Sequence, residues 1–233
     1  NVLAVGNEAY AMLNRSAADT VVTTPVEAGR IRDVWLTEAI LHSLLFRQGH
    51  YVGYRPSIYF AVPTDMTEIE RRAYASIARR GKLRNCSVYL VEKPIADALA
   101  LGIPIGKARG SMMINMGSYS TTLSAIAESR VILNSTVPIG GIHFDEAVMA
   151  SVRRKNRLII SIKTAEELKK LFMSSDSSPM GVTVDGIDAD SGLPRNGFVT
   201  ASSVARSVMS SVEEMTEELL RFLERTPPQI RDT

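Results

Sequence analysis

Two apolar runs of strand length, each leading into a helix, constrain this chain more than any other feature. Ser57-Ile58-Tyr59-Phe60-Ala61-Val62 reads as a strand stopped by Pro63. Thr67-Glu68-Ile69-Glu70 follows with the Thr-x-x-Glu form of a capping box, so a helix is expected from there to about Arg80, ending at Gly81. Val88 to Val91 is the next strand, and Pro94 to Leu101 the next helix, closed by Gly102. Strand, helix, strand, helix predicts an α/β layer built on a largely parallel sheet.

The flanking segments complete that layer and then change character. Val2 to Val5 reads as a short strand and Asn7 to Asn14 as a short helix. Val34 to Phe46 is a helix, with Leu36, Ile40 and Leu44, and their neighbours Leu41 and Leu45, at helical spacing. The second half opens with an antiparallel meander: Ser111 to Met116, a turn at 117–120, Thr121 to Ala127, a turn at 128–130, and Val131 to Ile139. Gly140-Gly141 leads into a helix from about Phe144 to Lys155, and Thr164-Ala165-Glu166-Glu167 is a second capping-box candidate opening a helix to about Met173. Ser174 to Pro179 is polar and reads as a loop; Val182 to Ile187 and Gly197 to Thr200 form a hairpin. A last helix from about Ser203 to Glu224 carries one stripe, Val204, Val208, Val212, Met215, Leu219, Phe222 and Leu223, and Thr226-Pro227-Pro228 stops it.

Composition narrows the function classes. With 233 residues and 45% hydrophobic content, the chain can bury a real core. Lys and Arg total 27 against 25 Asp and Glu, a net charge of only +2, which gives no reason to expect nucleic acid as a partner. The lone Cys86, at the entry to an apolar run, can form neither an internal disulfide nor a cysteine-based metal site and reads as a core filler; this fits a reducing cytosol. No apolar run approaches the roughly 20 residues a membrane span needs, and no signal peptide opens the chain. The chain begins at Asn1 directly in an apolar run and ends at Thr233 just after a long helix, so both ends read as cuts through a larger protein.

Several strings recur in a recognisable order. They are Val5-Gly6-Asn7-Glu8-Ala9 with Met12-Leu13, Pro25 with Gly29-Arg30-Ile31-Arg32-Asp33, Val62-Pro63 with Glu70-Arg71-Arg72-Ala73, and Val88 to Ala98 (VYLVEKPIADA). Further on come Gly140-Gly141 with Asp145-Glu146-Ala147, Thr164 to Lys169 (TAEELK), Ser191-Gly192-Leu193-Pro194 and Thr226-Pro227-Pro228. In order and spacing they resemble the MreB-type bacterial actins of the actin and Hsp70 ATPase superfamily, over nearly the whole chain. The resemblance implies a partial actin-like ATPase (RNase H-like) α/β fold of two lobes. The first spans 1–106, with a IB remnant at 1–28 and a IA-like part at 29–106. The second spans 107–233 and is IIA-like, with a IIB-like insertion at about 163–200. It also implies that a first phosphate-binding hairpin precedes Asn1 and an adenosine loop follows Thr233.

In that superfamily ATP lies between the two halves, with glycine-rich hairpins bringing backbone N–H groups to the phosphates. The second hairpin has the family pattern Asp-Ile-Gly-Gly-Gly-Thr-Thr-Glu, where this chain has Asn115-Met116-Gly117-Ser118-Tyr119-Ser120-Thr121-Thr122. Gly117 and Thr121 match, and Ser120 keeps a hydroxyl. Asn115 replaces a carboxylate that helps hold hydrated Mg²⁺, a cation that favours anionic oxygen. Tyr119 replaces a glycine and is expected to crowd the phosphate or force φ out of range. Before Pro94 the family uses a Glu to orient the attacking water; here stands Lys93, and a lysine side chain is ordinarily a cation at neutral pH. Glu92 is one position earlier and is expected to point elsewhere. Losing a positioned base costs on the order of 10²–10⁴ in rate. Lys93 could instead hold a phosphate, which would aid binding but not hydrolysis. Gly140 and Gly141 keep the family's close backbone approach, Ile142-His143 replace an Asp-Glu pair, Lys169 stands at a position associated with the adenosine, and Leu171 replaces a Glu. His143 itself reads as a helix-start surface residue. The nucleotide-binding remnant is therefore Asn115, Gly117, Ser118, Ser120, Thr121, Gly140, Gly141 and Lys169, with no catalytic residue.

Five departures on one small site suggest a pseudo-actin: fold kept, hydrolysis lost, no resident cofactor expected, and ATP with Mg²⁺ implied by family alone. The expected role is an actin-like cytoskeletal protein linked to bacterial cell shape, acting by association with itself or with an MreB-type filament protein. An active filament ATPase and a regulatory module for such filaments are the alternatives. Tyr51, Val52 and Tyr54, beside Arg47, His50 and Arg55, match the family's membrane loop; they suit either a weak membrane-surface contact or an ordinary loop packing its own aromatics. The basic run Arg153-Arg154-Lys155 with Arg157 sits at a helix end, where cations offset the helix dipole. The expected location is the cytoplasm, with the inner membrane face as a place of contact.

Overall fold

The computed structural model describes residues 2–12, 20–46, 55–80, 83–106, 110–173 and 179–231. In chain order the elements are α1 (Asn7–Ala11), β1 (Val26–Glu27), β2 (Arg30–Ile31), α2 (Val34–Phe46), β3 (Ser57–Val62), α3 (Glu68–Ala78), β4 (Ser87–Glu92), α4 (Lys93–Ala100), β5 (Ser111–Met116), β6 (Thr121–Ala127) and β7 (Arg130–Val137). They continue with α5 (Gly141–Asn156), β8 (Leu158–Ile159), α6 (Ile162–Met173), β9 (Gly181–Asp188), β10 (Pro194–Thr200), α7 (Ala201–Arg225) and α8 (Pro228–Arg231). Backbone packing divides the chain into two units, Asn1–Met113 with Ile126–Ile132, and Ile114–Ala125 with Leu133–Thr233. Consecutive strands β5, β6 and β7 hydrogen-bond in chain order as one sheet.

The first unit is organised by the parallel pair β3–β4, in register from Ser57 opposite Ser87 to Val62 opposite Glu92, with α3 as the crossover. Inward positions alternate as a strand requires: Ile58, Phe60 and Val88 pack on Ala78, Leu83 and Cys86, while Val62, Met66 and Tyr74 form a neighbouring cluster. Cys86 is buried and its thiol donates to the Ala78 carbonyl at 3.3 Å, the filler role expected of it. Helix α3 begins in a complete capping box. The Glu70 amide donates to the Thr67 hydroxyl at 3.3 Å, and the Thr67 amide donates to the Glu70 carboxylate at 2.8 Å. Arg30, on the β1–β2 hairpin, reaches the same box and also pairs with Asp65 at 2.7 Å. The Thr67 amide, then Arg30, then the Thr67 hydroxyl hold the Glu70 carboxyl down to about 2. The hairpin turn puts both Ala28 (φ 49°) and Gly29 (φ 75°) in left-handed backbone, and a side chain on Gly29 would meet Pro63 at 2.8 Å.

In the second unit, α5, α6 and α7 pack together beside the sheet ordered β10-β9-β8. Val148, Val152, Leu158, Leu168, Val199 and Val204 form its main core. A second cluster gathers Phe222 of α7 with Leu123, Ala125, Val137 and Ile139. The α7 stripe seen in the sequence is thus core-facing at Val204, Val208 and Phe222, with Met215 and Leu219 packed against the second cluster.

The structure departs from the sequence reading in several elements. Residues 2–5 form no strand; no strand lies alongside them among the described residues, so their extended-looking pattern has nothing to pair with. Helix α6 starts at Ile162, which places Thr164 inside it; the cap is Ser161, whose hydroxyl accepts from the Thr164 amide at 3.1 Å. Leu158–Ile159 form a short strand on β9 that their two-residue length concealed. Pro228, expected only to stop α7, opens the turn α8, since a proline fits a first helical position. The membrane-loop residues Tyr51, Val52 and Tyr54, and the polar stretch 174–178, lie outside the described residues. No described helix is long and apolar enough to cross a membrane.

Candidate functional site

The second unit brings together most of the residues singled out as a nucleotide remnant. Strand β5 turns into β6 at 117–120, where the Gly117 amide donates to the Ser120 carbonyl at 2.9 Å and Ser118-Tyr119 form the tip. Just behind stands the start of α5. The Gly141 amide donates to the Gly117 carbonyl at 3.0 Å, and the Ile142 amide donates to the Ser118 carbonyl at 2.9 Å. A helix leaves its first amides unsatisfied, which makes its N-terminus a natural anion site. Here two of those amides are already taken by hairpin carbonyls.

This contact explains one glycine and not the other. A Cβ on Gly140 would lie 2.6 Å from the Gly117 and Ser118 carbonyl oxygens, whereas one on Gly141 would meet nothing nearer than the Lys169 ammonium at 3.6 Å. The glycine at 140 is required by the protein's own backbone. His143 sits at the third position of α5, and its Nδ1 accepts from the Gly140 amide at 3.2 Å. That is one arm of a capping box, the other being absent because Gly140 has no side chain. Half-buried His143 is therefore a cap, where the sequence suggested only a surface helix-start residue.

Lys169, on α6, is turned inward. Its ammonium donates to the Gly141 carbonyl at 3.0 Å and lies 2.7 Å from Asp145 Oδ1. The two side chains form a largely buried ion pair. Burial pushes the Asp145 carboxyl above the usual range, and the adjacent Lys169 only partly offsets it. Asp145 is 4% exposed and belongs to this cluster, although its 24-residue separation from Lys169 left no signal of the pairing beyond the string it shares with the resembled family.

The remaining candidates divide. Thr121 is fully buried and its hydroxyl donates to the Ile139 carbonyl at 2.8 Å, so it anchors the hairpin. Asn115 and Tyr119 are half-buried beside it. Tyr119 does not force φ out of range: left-handed non-glycine backbone occurs at Ala28, Glu128, Ser129 and Arg157, not at 119. The amides of Ser118 and Ser120 have no acceptor among the described residues, so the hairpin tip still offers two donors. Lys93 belongs to the first unit, as the first residue of α4 and half-buried. One carboxylate oxygen of Glu92, at the end of β4, is buried without a hydrogen-bond partner among the described residues.

Comparison with known proteins identifies the family. A family model described as MreB/Mbl protein matches residues 1–232. The cell shape-determining protein MreB of Escherichia coli K12 is 30% identical over 235 residues, covering 99% of this chain and 67% of that protein. The chain thus spans about two thirds of the length of that relative. Among solved structures, MreB5 of Spiroplasma citri bound to ADP superposes with a TM-score of 0.88 at 25% identity, over 98% of this chain and 69% of that one. Its AMPPNP-bound form gives 0.89. The MamK double helical filament, at 15% identity and a TM-score of 0.73 over 98% of this chain and 68% of that one, shares the fold. This chain belongs to the MreB/Mbl family of actin-like, cell shape-determining proteins.

Proposed function

We propose that this MreB/Mbl-family chain works as a non-hydrolysing actin-like protein of the cell-shape apparatus, associating with itself or with another MreB-type filament protein. The observation that carries the reading is the closure of the α5 N-terminus, where the Gly117 and Ser118 carbonyls occupy the amides of Gly141 and Ile142. The side chains agree with it. Asn115 brings no charge for Mg²⁺, and Lys93 no base for water.

The fit to nucleotide is divided. The free amides of Ser118 and Ser120 suit a phosphate, while Asn115 and Lys93 do not suit a hydrated metal and an activated water. Any nucleotide would therefore be held without turnover. MreB5 of Spiroplasma citri binds ADP and AMPPNP, which supports nucleotide binding by this chain. The filament form of MamK supports self-association as the mode of action. The cytoplasm is the location this reading assigns, with 1–106 and 107–233 as its two lobes.

Titration with labelled ATP and Mg²⁺, run beside a phosphate-release assay, tests the proposal. Release at the blank level with intact pelleting is the expected result, and clear turnover ends it. One observation favours the alternative of an active filament ATPase: the orphaned buried oxygen of Glu92. That reading requires turnover which Glu92→Gln abolishes. Pelleting of the protein alone, compared with pull-down by an authentic MreB, separates self-assembly from a regulatory binding module.

A further inference from the structure

A pocket of about 580 Å³ opens in the second unit at the C-terminal part of α5, away from the hairpin that docks on its first turn. Arg153, Arg154 and Arg157 line it, over a floor that includes Met149 and Ile159. Basic residues at a helix end commonly offset its dipole and cap its last carbonyls. Here other groups perform the capping. The Arg195 guanidinium donates to the Asn156 carbonyl at 2.6 Å and to the Arg157 carbonyl at 3.1 Å, and the Ala189 amide donates to Arg157 at 2.9 Å. Arg157 is itself gripped by both oxygens of Asp190, and Lys155 donates to the Ser203 hydroxyl at 3.2 Å.

Arg153 and Arg154 are left over. Neither side chain makes an ion pair or hydrogen bond among the described residues, yet both line the same pocket. The Arg157–Asp190 pair is neutral as a unit, so the pocket keeps two uncompensated positive charges above apolar surface. Guanidinium groups match phosphate oxygens with paired N–H donors. The volume falls within the roughly 300–1,000 Å³ typical of small-molecule sites.

We propose that this pocket is an anion site, independent of the hairpin, that binds a phosphate-bearing group through Arg153 and Arg154 and rests the adjoining apolar part on Met149 and Ile159. A soluble phosphorylated compound and an anionic lipid headgroup share that chemistry.

The test uses two probes on the full chain: pyrophosphate by calorimetry at low and high salt, and flotation with vesicles of phosphatidylglycerol or of phosphatidylcholine. Arg153→Ala/Arg154→Ala is expected to weaken binding at least tenfold. Arg153→Lys/Arg154→Lys should retain part of it, and Arg72→Gln, an exposed arginine on α3 of the first unit, should leave it unchanged. Flotation confined to phosphatidylglycerol and lost in the double alanine variant supports a lipid source; pyrophosphate binding alone, lost in the same variant, supports a soluble one. Single substitutions Arg153→Gln and Arg154→Gln serve if the double variant misfolds. If neither probe binds the wild type, or binding survives removal of both arginines, the site does not exist.

Discussion

At the scale of single residues, the hairpin and the start of α5 are held by contacts too close for substitution. A Cβ at Gly140 would lie 2.6 Å from two carbonyl oxygens, and backbone cannot move aside as a flexible side chain can. Gly140→Ala is therefore expected to destabilise by about 1–3 kcal/mol, with Gly141→Ala nearly neutral; urea unfolding of the two variants checks the contrast. Two carboxyls are expected to respond to acid with opposite sign. Glu70, held at about 2 when folded, contributes stability that is present above its unfolded value near 4.5 and is lost as pH falls towards 2. Asp145, raised by burial, takes up its proton more readily in the folded chain, so its contribution grows as pH falls through that raised value. Glu70→Gln should flatten the loss of stability between pH 5 and about 3, and Asp145→Asn should steepen it, as read from unfolding free energies across that range. The residue types were legible in the sequence at Asn115, Tyr119 and Lys93, because each replaces one chemistry with another. The Asp145–Lys169 pairing and the capping by His143 were not, because each depends on where two separate segments meet.

At the scale of elements, helix starts decide the comparison between sequence and structure. Thr67 and Glu70 sit three residues apart at a true boundary, and the box forms as the spacing required. Thr164 and Glu167 have the same spacing inside α6, where the preceding Ser161 has already satisfied the Thr164 amide. Ser161→Ala and Thr67→Ala should each cost about 1 kcal/mol in thermal or urea unfolding. A cost at Thr164→Ala as large as at Ser161→Ala would contradict the placement of the cap. The long α7, the β9–β10 hairpin and the β3–α3–β4 unit were legible because their apolar periods run for many residues. The two-residue strand β8 was hidden, since pairing with β9 and not local propensity makes it a strand.

At the scale of the whole molecule, the expected behaviour is that of a filament protein without a chemical cycle. Pelleting should be the same with ADP, with ATP and without nucleotide, and sedimentation assays that find strong ATP dependence would point back to an active site. Hydrogen exchange adds a sharper view: Gly141 and Ile142 should be protected in the absence of ligand, while Ser118 and Ser120 exchange quickly and become protected only if a phosphate docks at the tip. The second unit's core should be unforgiving, with Phe222→Ala, at 1% exposure, costing about 3–5 kcal/mol in unfolding free energy. The sequence by itself determined the family, the α/β alternation and the missing carboxylates at 93 and 115, because these reside in residue identity and in spacing along one chain. Only the tertiary structure decided that the α5 amides are spent on the hairpin, that Lys169 turns inward to Asp145, and that Arg153 and Arg154 find no partner among the described residues. Hydrogen-bond satisfaction and burial are settled between segments far apart in sequence, and no local pattern encodes which donor finds which acceptor.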